Sequence, residues 1–254
     1  MRFATWNVNS LKVRLSHILQ WLASADVDVL CLQELKMTAD KFPFEELRAA
    51  GYEAAVNAQK TYNGVAILSR LPMQDVLADM PEYDDEQKRV IAATIGGVRL
   101  VCAYFPNGQS LESDKYLYKI DWLDAMNGYV GKLLGQHERV ALLGDYNIAP
   151  EDRDVHDPAA WEGQVLVSPR ERAAWLALTQ SGMVDCYRLF DQPEKSFSWW
   201  DYSMLGFRRN AGLRIDHILA SKALAADCRA CVIDRAPRKL DKPSDHAPVV
   251  ADFA

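Results

Sequence analysis

The chain has 254 residues, 49% hydrophobic and 25% charged, with a formal net charge of −6 at pH 7. This is the profile of a globular protein with a sizeable core, in one large domain or two small ones. No apolar run reaches the ~18 residues of a membrane span. The negative total speaks against nucleic-acid binding by bulk charge, because that affinity comes from Lys and Arg on phosphates. Local groups would have to carry any such contact: Arg208, Arg209 and Arg214 fall in one segment, and Lys115 and Lys119 flank two tyrosines. The chain opens directly on Phe3-Ala4-Thr5-Trp6, without a basic-then-apolar leader, which predicts no signal peptide. Five cysteines, an odd count, predict reduced thiols and a cytoplasmic setting. Cys228 and Cys231 have CxxC spacing but no second pair, so neither a zinc nor a redox role is expected of them.

Arg2 to Val8 reads as a first strand. A helix follows, with Leu15, Ile18, Leu19 and Leu22 at the spacing of one buried face. Val27 to Leu32 is an almost continuous apolar run, as expected of a strand covered on both sides. Further strands are predicted at Tyr52 to Val56, Gly64 to Ser69, Val90 to Ile95 and Arg99 to Phe105, with Gly96-Gly97 as a hairpin turn between the last two. Tyr116 to Leu134 predicts a long helix, and Arg139 to Leu143 another buried strand. Ser168-Pro169-Arg170-Glu171 combines a capping box with proline at the first helical position, and the helix it opens should stop near Gly182. Arg214 to Ala220 and Ala247 to Phe253 supply the closing strands. No linker, repeat or low-complexity tract divides the chain, so residues 1–254 are read as one domain. Hairpin-joined strands alternating with about three helices predict a layered α/β fold, two sheets face to face with helices outside. A doubly wound nucleotide fold is disfavoured, since no Gly-rich phosphate loop follows the first strand.

Polar residues recur at the strand ends, where a core would not accept them unpaired. The first strand carries Asn7 and Asn9, the second ends in Gln33-Glu34, and Arg139 to Leu143 runs into Gly144-Asp145-Tyr146-Asn147. Each has an ordinary reading: Asn7 or Asn9 closing a turn, Glu34 capping a helix, Gly-Asp-x-Asn forming a loop. Asp216 lies in an otherwise apolar stretch and must be paired, protonated or ligated if buried. Pro243-Ser244-Asp245-His246-Ala247-Pro248 holds an acid and an imidazole on a stiff turn, a combination able to bind metal or move a proton.

In order along the chain stand Trp6-Asn7-Val8-Asn9-Ser10-Leu11, Leu32-Gln33-Glu34-Leu35-Lys36, Ala103-Tyr104-Phe105-Pro106-Asn107 and Gly144-Asp145-Tyr146-Asn147-Ile148-Ala149. They are followed by Phe197-Ser198-Trp199-Trp200-Asp201-Tyr202, Gly212-Leu213-Arg214-Ile215-Asp216 and Ser244-Asp245-His246-Ala247-Pro248. This series resembles the signatures of the exonuclease III family. The resemblance implies a four-layer α/β sandwich, two packed mixed β-sheets flanked by helices, shared with DNase I and metal-dependent AP endonucleases.

It also implies a DNA-repair phosphodiesterase dependent on Mg²⁺, with Mn²⁺ as an alternative. Its substrates would be duplex DNA with abasic sites, nicks or blocked 3′ ends, and no membrane is involved. A hard cation favours carboxylate and amide oxygens, which makes Glu34 the foremost ligand candidate and Asn7 a ligand or an orienter of Glu34. Asp145, Asn147, Asp245 and His246 complete the candidate metal set. By similarity, Asp145 aligns or deprotonates the attacking water, Asn147 holds phosphate or water, Tyr104 faces the phosphate or leaving oxygen, and Asp216 completes the group. His246 reads as a donor to phosphate kept charged by Asp245, and whether Asp145 or the Asp245–His246 pair takes the proton stays open. Trp199 and Leu213 fall where the family builds an apolar pocket for a baseless sugar or terminal nucleotide, whereas Trp200 reads as core. Asn9, Lys36, Lys115, Arg208 and Arg209 are candidate DNA contacts, the two arginines on a loop bounded by Gly206 and Asn210. Trp161, Leu166 and Val167 place bulk beside the site, which predicts a lean towards open 3′ ends over internal abasic sites. Two other readings remain: a phosphatase or phosphodiesterase of this fold acting on a non-DNA ester, and a non-catalytic binding module. The Trp199 and Gly212-Leu213 blocks favour DNA over the first, and the presence of Glu34, Asp145 and His246 favours catalysis over the second.

Overall fold

The computed structural model describes residues 1–254. Twelve strands form two six-stranded sheets. In the first, β1 (Arg2–Asn7) and β2 (Val29–Gln33) pair in parallel at the centre. β3 (Glu53–Asn57) and β4 (Val65–Ser69) extend one side, and β11 (Cys228–Ile233) and β12 (Val249–Phe253) the other, in the order β11-β12-β1-β2-β4-β3. The second contains β5 (Met73–Ala78), β6 (Val90–Ile95), β7 (Val98–Tyr104), β8 (Val140–Asp145), β9 (Met183–Asp185) and β10 (Asp216–Ser221), in the order β5-β6-β7-β8-β10-β9. Here too the central pair, β7 and β8, is parallel.

The layers follow from which face each apolar residue occupies. Phe3, Val29, Cys31 and Ile67 of one sheet meet Leu100, Cys102, Leu143 and Ile218 of the other in the central core. The alternate residues Ala4, Trp6, Leu30 and Leu32 face outward and are covered by Leu11, Ile18, Trp21 and Leu22 of α1 (Leu11–Ala25). On the opposite side, Val101 and Leu142 are covered by Trp122, Met126 and Val130 of the long helix α3 (Asp114–Gln136) and by Trp175 and Leu178 of α5 (Pro169–Gln180). Each such side chain contributes about 1.5–3 kcal/mol by leaving water, so neither sheet is stable without its helical cover. α2 (Phe44–Ala49), α4 (Pro158–Trp161), α6 (Gly206–Arg209) and α7 (Lys222–Ala225) are short. No helix is long and apolar enough to cross a membrane.

The predicted four-layer arrangement is present, including the Ser168 capping box and Pro169 at the start of α5. Strands β5, β9 and β11 escape the sequence patterns for separate reasons. β5 is mostly exposed, β9 has three residues, and a bulge between Cys228 and Ala230 breaks the alternation of β11. The CxxC pair lies on that bulged strand as free, buried thiols. Two expectations are corrected. Arg208 and Arg209 sit in the short helix α6 rather than a loop, and the strand predicted from Arg214 begins at Asp216.

Candidate active site

Parallel pairing at the centre of both sheets brings carboxyl-terminal strand ends to one edge, where open α/β sheets collect ligands. Asn7 ends β1 opposite Gln33, so the next residue of the second strand, Glu34, emerges beside it. Tyr104 ends β7 opposite Asp145, the last residue of β8, and Asp216 begins β10 opposite the same Asp145. Gly144 is required at this crossing, since a Cβ there would stand 1.8 Å from the Ala103 carbonyl oxygen. The first turn of α1 is tied to the Glu34 loop, with Ser10 N donating to Glu34 O at 2.8 Å and Leu11 N to Leu35 O at 3.2 Å. Glu34 and Asn147 both adopt left-handed backbone, with φ of 55° and 49°. Strain of this kind, on the order of 1 kcal/mol or more, persists where surrounding structure over-determines it.

One amide joins the carboxylates: Asn7 Nδ2 donates to Glu34 Oε1 and to Asp145 Oδ2, each at 2.9 Å. Tyr104 donates its hydroxyl to the same Glu34 oxygen at 3.0 Å. Asn147 N donates to Asp145 Oδ1 at 2.9 Å, while its side-chain amide donates to Phe105 O at 3.0 Å and accepts from Asn107 Nδ2 at 3.0 Å. His246 presents Nδ1 to Asp216 Oδ2 at 2.8 Å and Nε2 towards Asp145 Oδ2 at 3.7 Å. One ligand atom from each of Glu34, Asp145 and His246 lies within 4.8 Å of the others.

The electrostatics of this cluster follow from burial and neighbours. Burial, reinforced by Asp216, pushes the Asp145 carboxyl up to about 7, against the pull of His246 and of the Asn7 and Asn147 donors. Burial opposes charge on the His246 ring, but Asp216 and Asp145 together outweigh it and raise its pKa to about 10. The neighbouring carboxylates thus favour the charged imidazole, while burial disfavours charge on Asp145.

Asp216, through a direct hydrogen bond, does more than Asp245 to keep His246 charged, although Asp245 adds to it. Asp245 is turned away and accepts from Asn9 Nδ2 at 2.9 Å and from Trp199 Nε1 at 3.0 Å. Burial would raise its carboxyl, but the His246 charge and these two donors hold it below the usual range. It supplies no oxygen to the Glu34–Asp145–His246 group. The Lys36 ammonium pairs with Glu34 Oε2 at 2.8 Å and donates to Asn9 Oδ1 at 2.6 Å, with its side chain 28% exposed. Lys115 is exposed on a groove of about 720 Å³ that begins at Tyr104 and includes Arg89 and Asn107. Arg208 and Arg209 are exposed.

Beside His246, Trp199 is half-buried and meets Trp161 edge-on at 6.4 Å, with the fully buried Leu213 beneath and Leu166 and Ile215 in the same cluster. Trp200 is core, packed with Phe197 and Ala247. Several supporting residues were not anticipated. Ser198 Oγ accepts from the backbone N of Ile215 and of Asp216 at 3.0 Å, which anchors the start of β10. Ser244 Oγ donates to Asn7 O at 2.7 Å and accepts from His246 N at 3.2 Å, joining the two ends of the chain at the site. Its place inside the proline-bounded turn was an available signal, and for Ser198 and Asn107 the signal was their place inside the quoted motifs.

Comparison with known proteins agrees with this geometry. The model of the Endonuclease/Exonuclease/phosphatase family matches residues 4–246. Exodeoxyribonuclease III of Haemophilus influenzae is 34% identical over the whole of both chains. A 3′ phosphatase from Neisseria, NExo, solved with a product DNA hairpin, has a TM-score of 0.98 at 44% identity over 100% of this chain and 99% of that one. An AP endonuclease from Archaeoglobus fulgidus has a TM-score of 0.96 at 36% identity, with the same coverage. The chain belongs to the endonuclease/exonuclease/phosphatase family, in its exonuclease III group, and is a metal-dependent hydrolytic nuclease of DNA repair.

Proposed function

We propose that this nuclease cleans 3′ termini of duplex DNA with Mg²⁺, removing 3′-blocking phosphates and terminal nucleotides in preference to cutting at internal abasic sites. The observation that carries the reading is the wall beside the cluster. Trp161 stands edge-on to Trp199, and Leu166 packs with Leu213 under it. An open 3′ end reaches such a walled pocket without threading a continuing strand past the indoles. The 3′ phosphatase NExo is among the solved proteins of nearly identical fold.

The donor chemistry fits Mg²⁺ or Mn²⁺. Because His246 is held charged by Asp216, the groups left for a cation are oxygens of Glu34, Asp145 and Asn7, the hard donors these ions prefer. When bound there, the ion would neutralise charge building on the phosphate. The chain's own groups supply the rest. Asp145 accepts the proton of the attacking water, its carboxylate held in place by the Asn147 N–H on one oxygen and Asn7 Nδ2 on the other. His246 Nε2–H donates to a phosphate oxygen, and the Tyr104 hydroxyl, 3.0 Å from Glu34, lies within the same cluster to meet the phosphate or the departing 3′ oxygen. The P–O3′ bond breaks as water adds, leaving a 3′-hydroxyl. We read residues 1–254 as one domain because strands from both chain ends close the first sheet. Five free cysteines suit a reducing cytoplasm.

Three duplexes test the reading: a nick with a 3′-phosphate, a recessed normal 3′ end, and an internal abasic site. With Mg²⁺ the 3′-phosphate should be removed at least about tenfold faster than the abasic site is cut, a difference of about 1.4 kcal/mol in barrier. EDTA should abolish all three reactions. Faster incision at the abasic site at equal enzyme concentration would overturn the preference, and undiminished cleavage in EDTA the metal.

A further inference from the structure

Lys119 and Glu171 form an ion pair in which both side chains are 0% exposed. Lys119 lies on α3 and Glu171 in the first turn of α5, on helices outside the second sheet. Pairs so deeply buried are commonly matched in stability by apolar residues of equal volume, because desolvation offsets the attraction. Stability alone therefore gives little reason for this pair. Its other bonds do. Lys119 Nζ donates to Asn147 O at 2.7 Å and to Asn107 O at 3.2 Å. Those are the two residues whose side chains meet at 3.0 Å beside Asp145. Glu171 in turn accepts from Leu166 N and Ser168 N, each at 2.9 Å. Leu166 O then accepts from Ala149 N at 2.7 Å, two residues beyond Asn147.

We propose that Lys119 and Glu171 are positioning residues that clamp the backbone of Asn147 and Asn107, so that the Asn147 amide stays aimed at Asp145. The inference rests on the nuclease reading of this site. The left-handed turn at Asn147 leaves its carbonyl pointing away from the strand and into the helices, where only the Lys119 ammonium meets it. Without that donor the turn can relax by a fraction of an ångström. Displacements of about 1 Å at reacting groups cost on the order of 10²-fold in rate.

The test is the double variant Lys119→Met/Glu171→Gln, which removes both charges at similar volume, with Glu171→Gln alone beside it. Melting by circular dichroism and the kinetics of 3′-phosphate removal in Mg²⁺ are measured on wild type and both variants. The double variant should melt within about 5 °C of wild type, keep KM within about threefold, and lose at least about tenfold in kcat. Glu171→Gln keeps the Lys119 contact to Asn147 and should lose less in kcat than the double variant. A folded double variant with kcat within twofold of wild type, or with its loss in KM alone, would overturn the proposal. Failure of both variants to fold would also overturn it, by making the pair an element of stability. A wild-type chain inactive on all three duplexes would instead sink the functional reading, and this inference with it.

Discussion

Asp145→Asn should lower kcat for 3′-phosphate removal by about 10³-fold and leave KM within about threefold. The amide is nearly isosteric and keeps one oxygen, which can still accept from the Asn147 N–H, while the Asn7 contact to the second oxygen is lost. What disappears is the carboxyl between Asn7, His246 and Asn147, whose pKa burial has raised to about 7. The measurement is steady-state kinetics on the nicked 3′-phosphate duplex, with DNA affinity determined separately. A loss under about tenfold, or one confined to KM, would remove Asp145 from the role of base.

Asp216→Asn should act through His246 and cost about 10²-fold in kcat at pH 7.5, with the loss shrinking towards pH 6. In the wild type Asp216 is the foremost group that outweighs burial and lifts the imidazole to about 10. An asparagine removes this foremost group and leaves Asp145 and Asp245 against burial, so the imidazole pKa falls and the ring loses its proton at lower pH than in the wild type. A stability effect accompanies this one. His246 has a folded-state pKa above its unfolded value of about 6.5. Its contribution is therefore fully present below about 6.5 and is lost as pH rises through about 10. Burial of the Asp216 carboxylate offsets part of this, so wild type should be more stable in urea than Asp216→Asn near pH 6, with the difference closing towards pH 10. A pH-independent difference, or unchanged kcat at pH 7.5, would show that Asp216 does not govern the imidazole.

The pairing of Asp216 with His246 shows where reading along the chain stops. Asp245 is the covalent neighbour of His246, and adjacency made it the natural partner. In the folded chain adjacent side chains on the turn diverge, and the proton-holding acid arrives from β10, thirty positions away in sequence. Lys36 gives the same lesson: nothing in the sequence showed that its ammonium bonds to Glu34 itself. Trp199 and Trp200 were distinguishable by motif position alone, and their burial agrees with that distinction.

By itself the sequence determined the layered α/β class, most of the central strands, the capped start of α5, and the residues that meet at the site. These follow from local physics, namely apolar periodicity, turn chemistry and capping, together with motifs kept in a recognisable order. Tertiary structure alone decided which acid holds which base, the clamp of Lys119 on Asn147, and the edge-on contact of Trp161 with Trp199. Those depend on the register of β8 against β7 and β10 and on the docking of α3 against α5. Hydrogen bonds and pKa shifts of buried groups depend on ångström distances between remote segments, and no local pattern encodes such distances.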